Sequence, residues 1–374
     1  MGRKLALCLA MLMLAAYVSG CGAKTPEQLA ETAVVETALP EPFINTRNNP
    51  GELPAGEQPV GEQPGSAADR PGGPAAPEED IYSLPYEGMR PMAVMIDNQG
   101  SKVLPQGGLD KAQIIFEVIV EGGLTRLMPV FWGTEPEMIG PVRSARHYFL
   151  DFSMEYDAVY VHYGGSPQAG TDIKKLNINE IDGIVLGPDV FWDLTNDPKN
   201  WQDSYTSMEK LKKYAEKRKF RDTANVEFPF RYNESAEDIV PAGGDDAMSV
   251  ALKYPSMSVR FDYDSGTRTY KRFRYDKEHI ERVTGKQLEA KNIIVMHVRN
   301  WTIEGDYAGR QDMQTTGTGK GYFITCGKAY RITWSKESRS SQTKFAYENG
   351  EPIVLNRGQT WIQIMPLNAK VTIE

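Results

Sequence analysis

The chain predicts a layered α/β domain over residues 81–242 and a smaller, mainly antiparallel β domain over 243–374, preceded by a signal peptide at 1–20 and a tether at 21–80. Three observations lead there. Before residue 242, apolar runs of strand length alternate with segments of helical period. After Gly243-Gly244 the pattern becomes short strands parted by turn residues. Between the leader and Ile81 there is too little apolar content for a core.

The leader comes first. Arg3 and Lys4 precede an apolar run from Leu5 to Val18 that is too short to span a bilayer stably, and Val18-Ser-Gly-Cys21 reads as a lipobox whose cysteine receives diacylglycerol. Acylation by two or three chains holds far better than one, because each buried methylene contributes about 0.8 kcal/mol. The expectation is a protein anchored through Cys21 in membrane lipid, on the extracytoplasmic face of a bacterial cell membrane.

From Gly22 to Asp80 the chain has ten prolines, a single aromatic (Phe43) and eleven acids against three bases, a net charge of 3 − 11 = −8. That equals the formal charge of the entire chain, so the acidic balance belongs to the tether. Such a segment cannot offset its ordering entropy by burial, and an anionic leaflet repels it. The remainder is close to neutral, which removes the broad basic footprint that nucleic-acid binding requires.

In the first domain, Met92–Ile96 reads as a buried strand ending at the polar pair Asp97-Asn98. Ile114–Val120 and Leu127–Trp132 read as two strands joined by a turn at Gly122-Gly123. Val142–Phe152 has helical spacing, Ala158–Tyr163 is strand-like, and Thr206–Phe220 is a helix with Thr206 and Glu209 spaced as a capping box. In the second domain, Val259–Tyr263 alternates, Asp264–Gly266 turns, and Tyr270–Tyr275 returns with its rings expected inward and its charges outward. Ile293–Val298, Tyr322–Thr325, Ala329–Trp334, Phe345–Tyr347 and Thr360–Met365 continue the β pattern, with Asn349-Gly350 and Asn356-Arg-Gly358 as turns.

Several chemistries lack their residues. The four histidines, His147, His162, His279 and His297, have no zinc-ligand spacing, and no cofactor-binding motif, nucleophile elbow or complete phosphate loop occurs. Gly317-Thr-Gly-Lys-Gly321 lacks the Lys-Ser/Thr ending of a phosphate loop and reads as a turn or edge. With Cys8 in the leader and Cys21 acylated, Cys326 is left without a disulfide partner and reads as a buried small residue. No metal and no cofactor is expected.

The polar residues that remain gather in the first domain. Arg143 and Arg146, three apart at the expected helix start, share a face and with Ser144 and free backbone N–H groups form a candidate anion site. Arg126 and Ser166 are candidate additions. The alternative is that these arginines are structural partners of Glu117, Glu121, Asp151 or Glu155. His162, at a strand end before Gly164-Gly165-Ser166, is a candidate acid or base. Glu121 is a second candidate, since Glu117 and Glu121 fall on one face of a continuous strand.

The segments Arg90-Pro-Met-Ala-Val-Met-Ile-Asp-Asn98, Glu117-Val-Ile-Val-Glu-Gly-Gly-Leu-Thr-Arg126, Ile139-Gly-Pro-Val-Arg-Ser-Ala-Arg146 and Gly358-Gln-Thr-Trp-Ile362 resemble the YerB-type lipoproteins, a bacterial family defined by a domain of unknown function. The resemblance covers nearly all of residues 81–374. It implies an extracytoplasmic lipoprotein, mostly of Gram-positive bacteria, and supplies no activity. Where the family pattern has a His-Asn pair before Tyr-Thr-Ser, this chain has Gln202-Asp203 before Ser204-Tyr-Thr-Ser207.

Three functions follow as expectations. One is a tethered lipoprotein that binds an anionic small molecule or cell-wall glycan on Arg143, Ser144, Arg146, Arg126 and Ser166. The second is an envelope hydrolase or transferase using His162 or Glu121. The third is a scaffold that contacts another envelope protein. Nucleic acid is not an expected partner.

Overall fold

The apolar runs form strands where expected, and their burial shows how they are arranged. In the computed structural model, residues 84–374 are described except 86–87, 196, 198–199, 201 and 236. The leader, Cys21 and the tether lie outside the described residues. In chain order the elements used below are β1 (Met92–Val94), β2 (Ile96–Asp97), β3 (Ile114–Ile119), β4 (Thr125–Phe131), α1 (His147–Met154), β5 (Val159–His162), α2 (Pro167–Lys175), β6 (Glu180–Asp182), α3 (Gly183–Leu186) and α4 (Met208–Lys217). They continue as β7 (Ser249–Tyr254), β8 (Met257–Asp264), β9 (Thr269–Arg274), β10 (Asn292–Val298), β11 (Gly317–Thr325), β12 (Lys328–Lys336), β13 (Thr360–Pro366) and β14 (Lys370–Ile373). Helix takes 14% and strand 42% of the described residues, so the architecture is mixed and sheet-rich with few helices.

One twelve-stranded sheet runs through both parts of the chain, with the central order β12-β11-β10-β13-β3-β4-β1-β5-β6. The seam between the parts is β13, parallel to β10 on one side and to β3 on the other. Within residues 243–374 the strand pairs are antiparallel except β10–β13, and the long sheet continues across the expected boundary at 242/243. The reason is legible in Thr360-Trp-Ile-Gln-Ile-Met-Pro366, which is buried at every position. A strand covered on both faces belongs in the middle of a sheet. An antiparallel sheet does exist in the C-terminal part, six-stranded and built on β9-β8-β7-β14.

Side-chain alternation along β3 sets the layers. Phe116 points toward α1, where Phe152 stacks on it at 5.2 Å. Glu117, next along the strand, points the other way with its neighbour Gln363, and Tyr254 of β7 donates to the Gln363 side chain at 3.2 Å. On that same face Trp361 meets Phe261 of β8, ring centroids 6.1 Å apart. The long sheet thus has a helix on one face and the antiparallel sheet on the other.

The β3–β4 hairpin turns at Gly122-Gly123 as expected, with φ of 67° and 71°. A Cβ on Gly123 would lie 2.6 Å from Pro255 of the β7–β8 turn, so both conformation and space require glycine there. Gly317–Gly321, expected as a turn or edge, is instead a strand: it opens β11, and a Cβ on Gly321 would meet the Val295 carbonyl at 1.8 Å. Cys326 is buried, as expected.

Two helix starts move. α4 begins at Met208, capped by Ser207, whose Oγ accepts from the Lys210 N–H at 3.3 Å, while the expected cap Thr206 donates its hydroxyl to the Val190 carbonyl. The segment 142–146 is extended rather than helical. Tertiary backbone bonds hold it there: Val142 N–H to Ser204 O, Arg143 N–H to Met95 O and Ala145 N–H to Gly164 O, at 2.7, 2.8 and 2.8 Å.

Candidate functional site

The extended segment 142–146 lies across the carboxyl ends of the central strands, where ligands sit in open α/β sheets. It brings Arg143 and Arg146 together with Arg126 at the start of β4. The reason is not the expected one: no shared helix face exists, and the Arg143 and Ala145 N–H groups are already used, so the helix-terminus part of the anion site is corrected.

Each arginine is held differently. Arg146, extended as the residue before α1, grips Glu121 with two bonds, Nε to Oε1 and Nη2 to Oε2, the second 2.9 Å long. Arg143 lies against Asp97 at the end of β2, Nε to Oδ2 at 3.1 Å, with the Asp97 carboxylate buried. Arg126 is 5% exposed and donates Nη1 to the Ser144 carbonyl, while its Nε has no partner among the described residues. Burial, then the Arg146 charge, push the Arg126 guanidinium down to about 10, with Asp97 and Glu121 opposing and Arg143 adding to the repulsion. Burial also lowers Arg143, against the pull of Asp97. Around Arg126, three guanidiniums face two carboxylates, 3 − 2 = +1.

The carboxylate candidates for catalysis are taken up. Burial raises the Glu121 carboxyl, but the Arg146 bonds and the charges of Arg146 and Arg126 outweigh it and hold it below the usual range. It is an anion paired to Arg146, the structural alternative foreseen for that arginine, and not a proton donor. Glu117 and Glu121 do not form a carboxylate pair, because β3 ends at Ile119 and Glu121 sits in the turn. Glu117 is fully buried and bonds Arg272 of β9 at 2.8 Å.

His162 is likewise engaged at both nitrogens: Nδ1 with the Gly164 carbonyl and Nε2 with Glu180, each at 2.8 Å. It is 2% exposed and braces the β5 end against β6, with no ring nitrogen left for a substrate. Ser166 caps α2, its Oγ accepting from the Ala169 N–H at 3.1 Å, a structural role that accounts for the residue without a ligand. Ser144 stays within the cluster, half-buried, beside Gly164.

Two contributors were missed in the sequence. Asp97 was seen only as a polar strand end, and its role as the Arg143 partner follows from strand adjacency that sequence spacing does not show. Gln202 donates Nε2 to Asp97 Oδ2 at 3.2 Å and to the Gln99 carbonyl at 3.3 Å. The departure Gln202-Asp203 had flagged that position, though not its neighbours. The aromatic strand is a further correction: Arg272 and Arg274 of β9 point inward, fully or nearly buried, while Phe273 is half-exposed under Arg260. Glu117 and the rings of Trp361 and Phe261 receive Arg272. Among the described residues no group of three His, Cys, Asp or Glu side chains has metal-binding geometry, and no helix is long and apolar enough to cross a membrane.

A cleft of about 1010 Å3 lies at the other end of the sheet, near Met89, Met92, Phe131, Met208 and Phe220. It holds none of the arginine cluster.

Comparison with known proteins agrees with the residue pattern. Residues 82–221 match the N-terminal domain, and residues 250–362 the C-terminal domain, of a family described as protein of unknown function, DUF3048. The "Putative lipoprotein YerB" of Bacillus subtilis (strain 168) is 31% identical over 284 residues, which cover 74% of this chain and 81% of that protein. The crystal structure of YerB from Bacillus subtilis superposes with a TM-score of 0.68 at 28% identity, covering 79% of this chain and 99% of that one. The chain belongs to the DUF3048 family, which it joins through both of that family's domains.

Proposed function

We propose that the protein is a membrane-tethered extracytoplasmic lipoprotein that binds an anionic ligand at Arg126, Arg143 and Ser144, with Arg146 held alongside by Glu121. The observation that carries this reading is the buried Arg126, whose Nε lacks a partner inside a group of three guanidiniums and two carboxylates. A buried donor left unmade costs about 1–3 kcal/mol, and an added anion would relieve both that cost and the excess positive charge. The lipid anchor rests on the lipobox at Cys21 and on the lipoprotein relative. A phosphate or a glycan carboxylate matches the donors in charge.

The test is thermal melting of residues 76–374 with phosphate, sulfate and uronic-acid glycans. At tenfold over its Kd a ligand stabilises by about 1.4 kcal/mol, which raises the melting point by about 3–5 °C. The expected result is such a shift in the wild type and its loss in a folded Arg143→Gln variant. A shift that persists unchanged in Arg143→Gln would move the ligand elsewhere. The scaffold reading is favoured by one observation, the two-bond grip of Arg146 on Glu121, and it predicts no shift with any anion.

A further inference from the structure

The arginine cluster opens beside an apolar point that the core does not explain. α3 is a single turn capped by Asp182, whose carboxylate accepts from the N–H groups of Ile184 and Gly164 at 3.0 and 2.8 Å. It holds two adjacent aliphatic side chains out from the fold, Ile184 at 65% and Val185 at 77% exposure. Ile184 lies over Gly164: a Cβ there would be 2.6 Å from Ile184 Cδ1 and 4.0 Å from Ser144 Oγ. The apolar point and the anion site are therefore neighbours.

On its other side α3 meets a basic helix face. Leu186 and Val190 line a groove of about 450 Å3 with Lys210, Lys213, Lys217 and Tyr214 of α4. Asp189 and Glu209 share that rim, so lysines exceed acids there by 3 − 2 = 1. Lys213 and Lys217 are exposed, and Lys210 donates to the Asp189 carbonyl at 3.0 Å. Exposed aliphatics flanked by the α4 lysines and the arginine cluster, with Asp182 between them, leave a net excess of 6 − 5 = 1 positive charge, which suits the headgroups of an anionic bilayer while its acyl boundary takes the side chains.

Resting on the anion-site reading above, we infer that this face docks on an anionic membrane, with Ile184 and Val185 inserted and the arginine cluster seating the phosphate of a lipid headgroup. The tether makes a weak contact sufficient, because a protein already anchored meets its membrane at high effective concentration. The acidic tether is repelled by anionic lipid, and its net charge of 3 − 11 = −8 makes it the rival occupant of a cationic face.

The described residues from 84 to 374 form one compact unit with its own core, so the face can be tested on residues 76–374 without anchor or tether. The assay is co-sedimentation with vesicles of phosphatidylcholine alone or mixed with an equal amount of phosphatidylglycerol, alongside the melting shift with inorganic phosphate. The expected result is binding to the mixed vesicles only. Replacing Ile184→Ser and Val185→Ser together should lower partitioning on the order of tenfold and leave the phosphate shift intact. Arg143→Gln should weaken both. Unchanged vesicle binding by the serine pair, or no wild-type binding to mixed vesicles while phosphate still shifts melting, overturns the membrane face and leaves the anion site standing. No phosphate shift and no vesicle binding overturns both. Binding that vanishes when residues 22–75 are restored assigns the face to the tether instead.

Discussion

Arg272→Met isolates the ion pair that fastens the antiparallel sheet to the long one. Arg272 Nη2 and Glu117 Oε2 are 2.8 Å apart, both side chains are wholly buried, and the residues are 155 apart in sequence. The guanidinium lies 4.1 Å from the Trp361 ring centre and 5.1 Å from that of Phe261, a slot that a methionine side chain fits. The substitution therefore removes charge with little loss of volume. Leaving a buried carboxylate unpaired costs about 3–5 kcal/mol. Glu117 keeps its bonds from Thr125 and Asn98, at 2.7 and 3.2 Å, which places the loss near the lower end. Losing the donor to His279 Nδ1, 3.0 Å away, adds about 1 kcal/mol. The total of about 4 kcal/mol corresponds to about 8–16 °C in melting temperature. Urea unfolding of Arg272→Met, Glu117→Gln and the double variant would measure it. The double variant should be more stable than Arg272→Met alone, since it leaves no stranded charge. A loss below about 1 kcal/mol in Arg272→Met would refute the reasoning.

Two other outcomes follow from single residues. His279 is held well below its ordinary value of 6.5 by burial and then by the charges of Arg272 and Arg274, so it stays neutral in the fold while the unfolded chain takes up a proton. Its contribution is complete above pH 6.5 and is lost on acidification at about 1.4 kcal/mol per pH unit until the folded value is reached. Urea unfolding at stepped pH should show this slope in the wild type and its absence in His279→Asn; equal slopes in both would assign the acid sensitivity elsewhere. Ser166→Ala should cost about 1 kcal/mol as a lost helix cap and leave the phosphate shift untouched, whereas loss of the shift would return Ser166 to the ligand set.

Much of the fold was legible because it is local. The apolar runs at Met92, Ile114, Leu127 and Ala158 became strands, and Gly122-Gly123 became the turn between two of them. What failed was non-local. Helical spacing over Val142–Phe152 was overridden at its start by backbone bonds to Met95, Gly164 and Ser204, which come from three other parts of the chain. Arg272 read as an outward charge because alternation defines two faces without saying which is buried, and Glu117 with Trp361 makes the polar face the inner one. The arginines of the site were legible as a group, since Arg143-Ser-Ala-Arg146 is unusual in itself. Their partners were not, because Asp97 reaches Arg143 through the order of strands in the sheet and Gln202 reaches Asp97 from a turn 105 residues away.

The central claim is that an anion sits against Arg126. A crystal structure of residues 76–374 soaked in phosphate tests it directly. The account predicts tetrahedral density within hydrogen-bond distance of Arg126 Nε, Arg143 and Ser144 Oγ, with Arg146 still on Glu121. Phosphate bound only at other surfaces, with Arg126 Nε facing protein or water alone, would contradict it.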